Sequence, residues 1–193
     1  MRVLVVYAHP VETSFAAALH RTVVETLTAN GHEVDDCDLH AENFQPVLTR
    51  EERVSYHDVP ANRASVDGYV DRLLRAEAFI VVTPIWNFGL PAILKGYFDR
   101  VFLPGVSFRL ENGVVSPNLT NIKHVAMVTT YGAVRWRAFL IGDPPRKLGR
   151  RFLWSVFRTR RPPRFLALYD MNNATQQKRE AFVERVRAAI AGL

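Results

Sequence analysis

The sequence predicts a doubly wound α/β domain, in which a five-stranded parallel sheet of order 2-1-3-4-5 carries helices on both faces and one small hairpin leaves the sheet. Two observations lead there. Short apolar runs alternate with stretches of helical periodicity in the order β-α-β-α-β-α-β-α-β. The runs near residues 2–8, 78–83 and 123–129 are apolar on successive residues, as strands covered on both faces must be. With 193 residues, 48% of them hydrophobic, the chain can bury one sizeable core, and residues 1–193 read as a single domain.

Taken in order, Arg2 to Ala8 is a buried strand running into His9-Pro10-Val11-Glu12-Thr13-Ser14. The helix that follows has Phe15, Leu19, Val23 and Leu27 on one stripe, with Thr13 or Ser14 as its cap and Gly31 beyond its end. Free N–H groups at such a helix start suit a phosphate, with His9 as an added donor, although every βα unit needs some cap. Neither the G-x-G-x-x-G nor the G-x-x-x-x-G-K-[ST] fingerprint is present. Glu33 to Leu39 is a mixed-polarity strand suited to a sheet edge, and residues 40–64 form a long irregular connection of the kind that is often functional or an interface. Val66 to Leu74 returns the chain to a strand at 78–83, which Pro84 is expected to stop.

The loop Trp86-Asn87-Phe88-Gly89 then joins that strand to a helix opened by Pro91, with Ile93, Leu94, Tyr97, Phe98, Val101 and Phe102 at helical spacing. Its aromatic residues suit a flat ring system at the carboxyl end of a strand; they equally suit a plug over the core. Asp99 and Arg100 read as surface pairs or dimer contacts. Residues 105–115 read as a hairpin turning at Glu111-Asn112-Gly113. The fourth core strand runs into Thr129-Thr130-Tyr131-Gly132. Helix interrupted by Pro144-Pro145 follows over 138–157, then a fifth strand at 165–169 and a last helix at 175–191. Right-handed crossovers bring the loops 9–16, 84–90 and 129–137 to one crevice.

Charge is unevenly spread. Residues 134–164 hold nine arginines and Lys147 against Asp143 alone, so this stretch carries more positive charge than the net +6 of the whole chain. No nucleic-acid motif accompanies it, and nucleic acid is not expected as a partner. The single Cys37 excludes an internal disulfide and fits a reducing compartment, with the cytoplasm as the expected location. No apolar stretch is long enough for an integral membrane segment, and the scattered histidines have no metal-ligand spacing.

Three motifs together resemble a known family: Tyr7-Ala8-His9-Pro10 with Ser14-Phe15, the run from Pro84 to Phe102, and Thr129-Thr130-Tyr131-Gly132. They are similar to the NAD(P)H:quinone oxidoreductases of the DT-diaphorase type, whose relatives include the flavin-binding ancillary subunits of bacterial potassium-efflux systems. The resemblance implies a flavodoxin-like fold and a bound flavin, FAD with FMN as the alternative. It implies NAD(P)H as electron donor, a quinone-like acceptor, a ping-pong cycle and a homodimer. Its alternative is a regulatory or electron-transfer flavoprotein acting through a protein partner. It places His9, Ser14, Phe15 and Ala16 at the flavin phosphates and Thr129, Thr130, Tyr131 and Gly132 on one side of the ring. Ile85, Trp86, Asn87 and Phe88 fall along the opposite ring edge, with Pro84 beside them.

One departure matters. Family members commonly have two glycines after the threonine pair, then a Tyr and a His that serve a proton relay. Here Tyr131 takes the first glycine position and no His follows before Ile141-Gly142-Asp143, so no catalytic residue is assigned. Arg135 or Arg137 is expected to contribute to nucleotide binding, and the cluster from Arg146 to Arg161 to lie at a surface or dimer interface.

Overall fold

The computed structural model describes residues 1–111 and 113–193. Its central sheet holds β1 (Arg2–Tyr7), β2 (Glu33–Asp38), β3 (Ala78–Ile85), β6 (His124–Tyr131) and β7 (Arg164–Leu168) in the order β2-β1-β3-β6-β7, every pairing parallel. The strands β4 (Phe108–Glu111) and β5 (Val114–Pro117) pair only with each other, so this is the expected 2-1-3-4-5 order with the hairpin set aside. Asn112 of the expected turn lies outside the described residues.

Side chains of β1 alternate between two cores. Val3, Val5 and Tyr7 meet α1 (Phe15–Ala29) and α8 (Gln176–Ala191), while Leu4, Val6 and Ala8 face α3 (Asp67–Arg75) and α4 (Ala92–Val101). Fully buried residues such as Leu4, Phe79 and Ile80 each contribute about 1.5–3 kcal/mol of apolar burial, which is why these strands had to be apolar on consecutive positions. No helix among the described residues is long and apolar enough to cross a membrane.

Four expectations need correction. Pro84 does not stop β3, which runs on to Ile85 with Pro84 opposite Thr130. The partner β1 ends opposite Val82, so the outer edge of β3 beyond that point needs no ladder donor and a proline is tolerated there. The 40–64 connection is not structureless: it contains α2 (Arg50–Val54), opened by a reciprocal capping box between Thr49 and Glu52, and a 3₁₀ turn follows at Ala61–Val66.

Arg100, read as a surface residue, is only 8% exposed and is the peg that holds this connection down. It donates to the Glu52 carboxylate and the Gln45 carbonyl, and its guanidinium lies 5.6 Å from the Phe44 ring centre. Burial alone would raise the Glu52 pKa, but hydrogen bonds from Arg100, Ser65 and the Thr49 N–H outweigh it and hold the carboxyl at about 2. The same stretch packs so closely on α4 that a Cβ at Gly96 would stand 2.2 Å from the Pro46 carbonyl oxygen.

Lastly, Pro144 does not break a helix but begins one, at the first position where its missing N–H costs nothing. The segment runs as α5 (Arg135–Leu140), α6 (Pro144–Lys147), a π-helical stretch Leu148–Phe152 and α7 (Leu153–Phe157). Gly149 seats it on the sheet, since a Cβ there would stand 2.7 Å from Met127 Sδ and 2.8 Å from the Phe165 ring.

Candidate functional site

The carboxyl ends of β1, β3 and β6 open onto a cleft of about 520 Å³. The first wall is the start of α1. Ser14 caps it, its Oγ accepting from the Ala17 N–H at 3.1 Å, and the N–H groups of Phe15 and Ala16 have no hydrogen-bond partner among the described residues. These donors, with the helix dipole behind them, form an anion seat. His9 lies beside it. Its Nδ1 accepts from the Val11 N–H at 3.0 Å, which assigns the proton to Nε2 and leaves that nitrogen as a donor. Burial, the largest influence on it, lowers the His9 pKa.

The second wall is the loop after β3. Trp86 and Gly89 exchange N–H···O=C bonds of 3.1 and 2.8 Å, closing a two-residue turn. Asn87 and Phe88 between them both have positive φ, 48° and 56°. Asparagine visits this region readily, but a bulky aromatic does so at a cost of order 1 kcal/mol or more, and such strain concentrates at ligand-binding loops. The turn leaves the Asn87 and Phe88 N–H groups without partners among the described residues. Trp86 is 44% exposed along the cleft, its ring 5.7 Å from that of His9 in an edge-on arrangement, whereas Phe88 is half-buried against the core. The loop thus does both things its composition allowed: Trp86 faces the opening and Phe88 plugs the core.

The third wall comes from β6. Thr130 and Gly132 line the cleft, but Thr129 is fully buried and Tyr131 is 1% exposed, so neither of their side chains reaches it. The Tyr131 phenol instead donates to Asp143 Oδ1 at 2.7 Å, Tyr169 donates to Oδ2 at 2.8 Å, and the two rings stack with centres 4.4 Å apart. Burial first, then hydrogen bonding to Asp143 and its charge, raises the pKa of both phenols, so both remain donors. Of the thirteen residues singled out in the sequence, His9, Ser14, Phe15, Ala16, Pro84, Ile85, Trp86, Asn87, Thr130 and Gly132 line one cleft; Phe88, Thr129 and Tyr131 support it from behind.

Met171 and Asn172 complete the wall and were missed in the sequence. They follow the carboxyl end of β7, and the rule that ligands sit at strand ends is the signal that points to them. A Cβ on Gly132 would stand 3.3 Å from Asn172 Nδ2, so the glycine keeps this side of the cleft open. A larger hollow of about 900 Å³ lies elsewhere, between α4, the β4–β5 hairpin and α7, with Phe98, Phe102, Phe108 and Phe152 in its lining. Free backbone donors set the smaller cleft apart. They fit an anionic group at α1 and a flat acceptor-rich ring against the 86–89 turn, as a flavin requires.

A family model described as having a flavodoxin-like fold matches residues 1–190. An NAD(P)H oxidoreductase of Haemophilus influenzae is 34% identical over 136 residues, which is 69% of this chain and 65% of that protein. NAD(P)H dehydrogenase (quinone) 1 of Rattus norvegicus is 31% identical over 148 residues, 68% of this chain and 54% of that protein. The chain thus spans between half and two thirds of the length of these curated relatives. Among solved structures, an NAD(P)H:quinone oxidoreductase from Methanothermobacter marburgensis superposes with a TM-score of 0.85 over 99% of this chain and 98% of its own, at 24% identity, a likeness of fold.

Proposed function

The chain belongs to the family with the flavodoxin-like fold, and on that premise we propose that it is a flavin-dependent NAD(P)H oxidoreductase delivering two electrons to a quinone or similar acceptor. The observation that carries this reading is the convergence on one cleft of a capped but unsatisfied helix start and an aromatic turn with two free N–H groups. The names of the relatives above support the reaction class.

Bound flavin would supply hydride chemistry between NAD(P)H and the acceptor, a hydride's two electrons and one proton joining a second proton from solvent on the reduced acceptor. The chain's own residues do the rest. The Phe15 and Ala16 N–H groups with His9 Nε2–H would hold the phosphate end. The Asn87 and Phe88 N–H groups, without partners among the described residues, would offer fixed dipoles to a ring edge that gains negative charge on reduction. Trp86 limits water on one side and Asn172 on the other. The reading extends to FAD as the flavin, on the His9-Pro10…Ser14-Phe15 opening, to a homodimer and to the cytoplasm.

The test is direct. Purified protein reconstituted with FAD or FMN should absorb near about 450 nm, as the cofactor does, and oxidise NAD(P)H when menadione is added. Protein that takes up neither flavin overturns the reading; protein that binds flavin but reduces no small acceptor moves it to an electron carrier or regulator. Trp86→Ala should lower flavin retention while shifting folding stability by only about 0.5 kcal/mol, because the side chain is half exposed.

A further inference from the structure

A second cavity, of about 760 Å³, is lined by the segment that follows β6, from Arg135 to Pro162, and by Tyr169 just past β7. Arg135, Arg146, Lys147, Arg150 and Arg151 line it, with the aromatic residues Phe139 and Trp154. None of these five cations pairs with a carboxylate among the described residues. The one carboxylate in the lining, Asp143, already accepts from the phenols of Tyr131 and Tyr169. Five like charges drawn into one concavity repel one another, and the arrangement is favourable when an anion of high charge enters. Arg150 and Arg151 stand on the π-helical stretch, an irregularity frequent at functional sites, which Gly149 pins against the sheet.

The shape and chemistry select a class of anion. Inorganic phosphate would leave most of such a volume unfilled. Phe139 and Trp154, 78% and 48% exposed, offer faces to a purine, and Asp143 retains lone pairs for an amino or hydroxyl hydrogen. Arginine forks match a phosphate monoester, which carries close to two negative charges at neutral pH. Arg135 begins only three residues after Gly132, so the cavity and the cleft are within about 10 Å of each other along the chain.

We propose that this cavity takes the adenosine 2′-phosphate end of NADPH, making the chain selective for the phosphorylated donor; the proposal rests on the oxidoreductase reading. Equilibrium binding of 2′,5′-ADP to the full-length protein tests it without turnover, with 5′-AMP, inorganic phosphate and vesicles rich in anionic phospholipid as the other probes. The expected result is that 2′,5′-ADP binds at least tenfold more tightly than 5′-AMP or phosphate. The Arg150→Ala/Arg151→Ala double variant loses at least tenfold of that affinity, and its KM for NADPH rises more than its KM for NADH, with flavin content unaltered. Equal affinity for 2′,5′-ADP and 5′-AMP, or an affinity unmoved in the double variant, overturns the proposal. So does vesicle binding that 2′,5′-ADP fails to displace, which would assign the basic face to a lipid surface. A chain that binds 2′,5′-ADP as described yet oxidises no NADPH keeps the cavity and sinks the oxidoreductase reading; one that turns over NADH and NADPH alike, with the double variant unchanged, does the reverse.

Discussion

Two sets of arginines in this chain meet opposite fates. Arg63, Arg72 and Arg100, on the α2–α4 side, are each tied to carboxylates. Arg63 holds Asp67 and Asp71; Arg72 holds Asp35 and Glu42 at 2.7–2.8 Å and donates to the Asp36 carbonyl; Arg100 holds Glu52. From Arg135 to Arg161 no arginine pairs with a carboxylate among the described residues. The first set spends its charge inside the fold, fastening a long connection to the sheet and to α4. The second keeps its charge available. Identical side chains are therefore tied to carboxylates in one half and left without them among the described residues in the other, and the difference lies in what the neighbouring elements bring, not in the arginines.

The largest effect that would break this contrast belongs to Arg100→Ala. It leaves the Glu52 carboxylate without its main partner in a nearly closed site and should cost about 3 kcal/mol in chemical denaturation. A loss below about 1 kcal/mol would mean that the connection is held by packing alone.

A smaller effect appears on titration. The Glu52 pKa in the folded chain lies below its unfolded value, so its contribution is present above about pH 4.5 and is lost as pH falls toward about 2. After allowance for solvent screening this amounts to about 1–2 kcal/mol. The acid limb of the stability curve should carry it in the wild type and flatten in Arg100→Ala; identical limbs would detach Glu52 from Arg100.

The smallest effect concerns the unpaired set. Raising salt should stabilise the wild type by about 0.5 kcal/mol through screening of repulsion around Arg146 to Arg151, and by less in Arg150→Ala/Arg151→Ala. Thermal midpoints at low and high salt measure it. Equal shifts in both proteins would show that these charges do not sense one another.

The strand order was legible because each core strand is apolar on consecutive residues, and the three cleft loops followed from the rule that ligands sit at strand ends. Ser14 was legible as a cap from its own neighbours. What escaped was set by partners far along the chain. Arg100 looked like a surface residue because Glu52 is 48 positions away, and Tyr131 looked like a cleft residue because nothing adjacent announces Asp143 or Tyr169. Pro84 misled for a geometric reason: whether a strand tolerates proline depends on where its neighbour ends. Met171 and Asn172 follow a strand with no periodic pattern of their own.

The Asp143 carboxylate has one more consequence. Because it accepts from Tyr131 at the end of β6 and Tyr169 just past β7, it rivets together two strand ends, one carrying the cleft residues Thr130 and Gly132 and the other Tyr169 of the basic cavity. The Asp170 N–H bonded to the Ala133 carbonyl adds a second rivet. A joint fastened at two points keeps the ends of β6 and β7 in register where each turns away from the sheet.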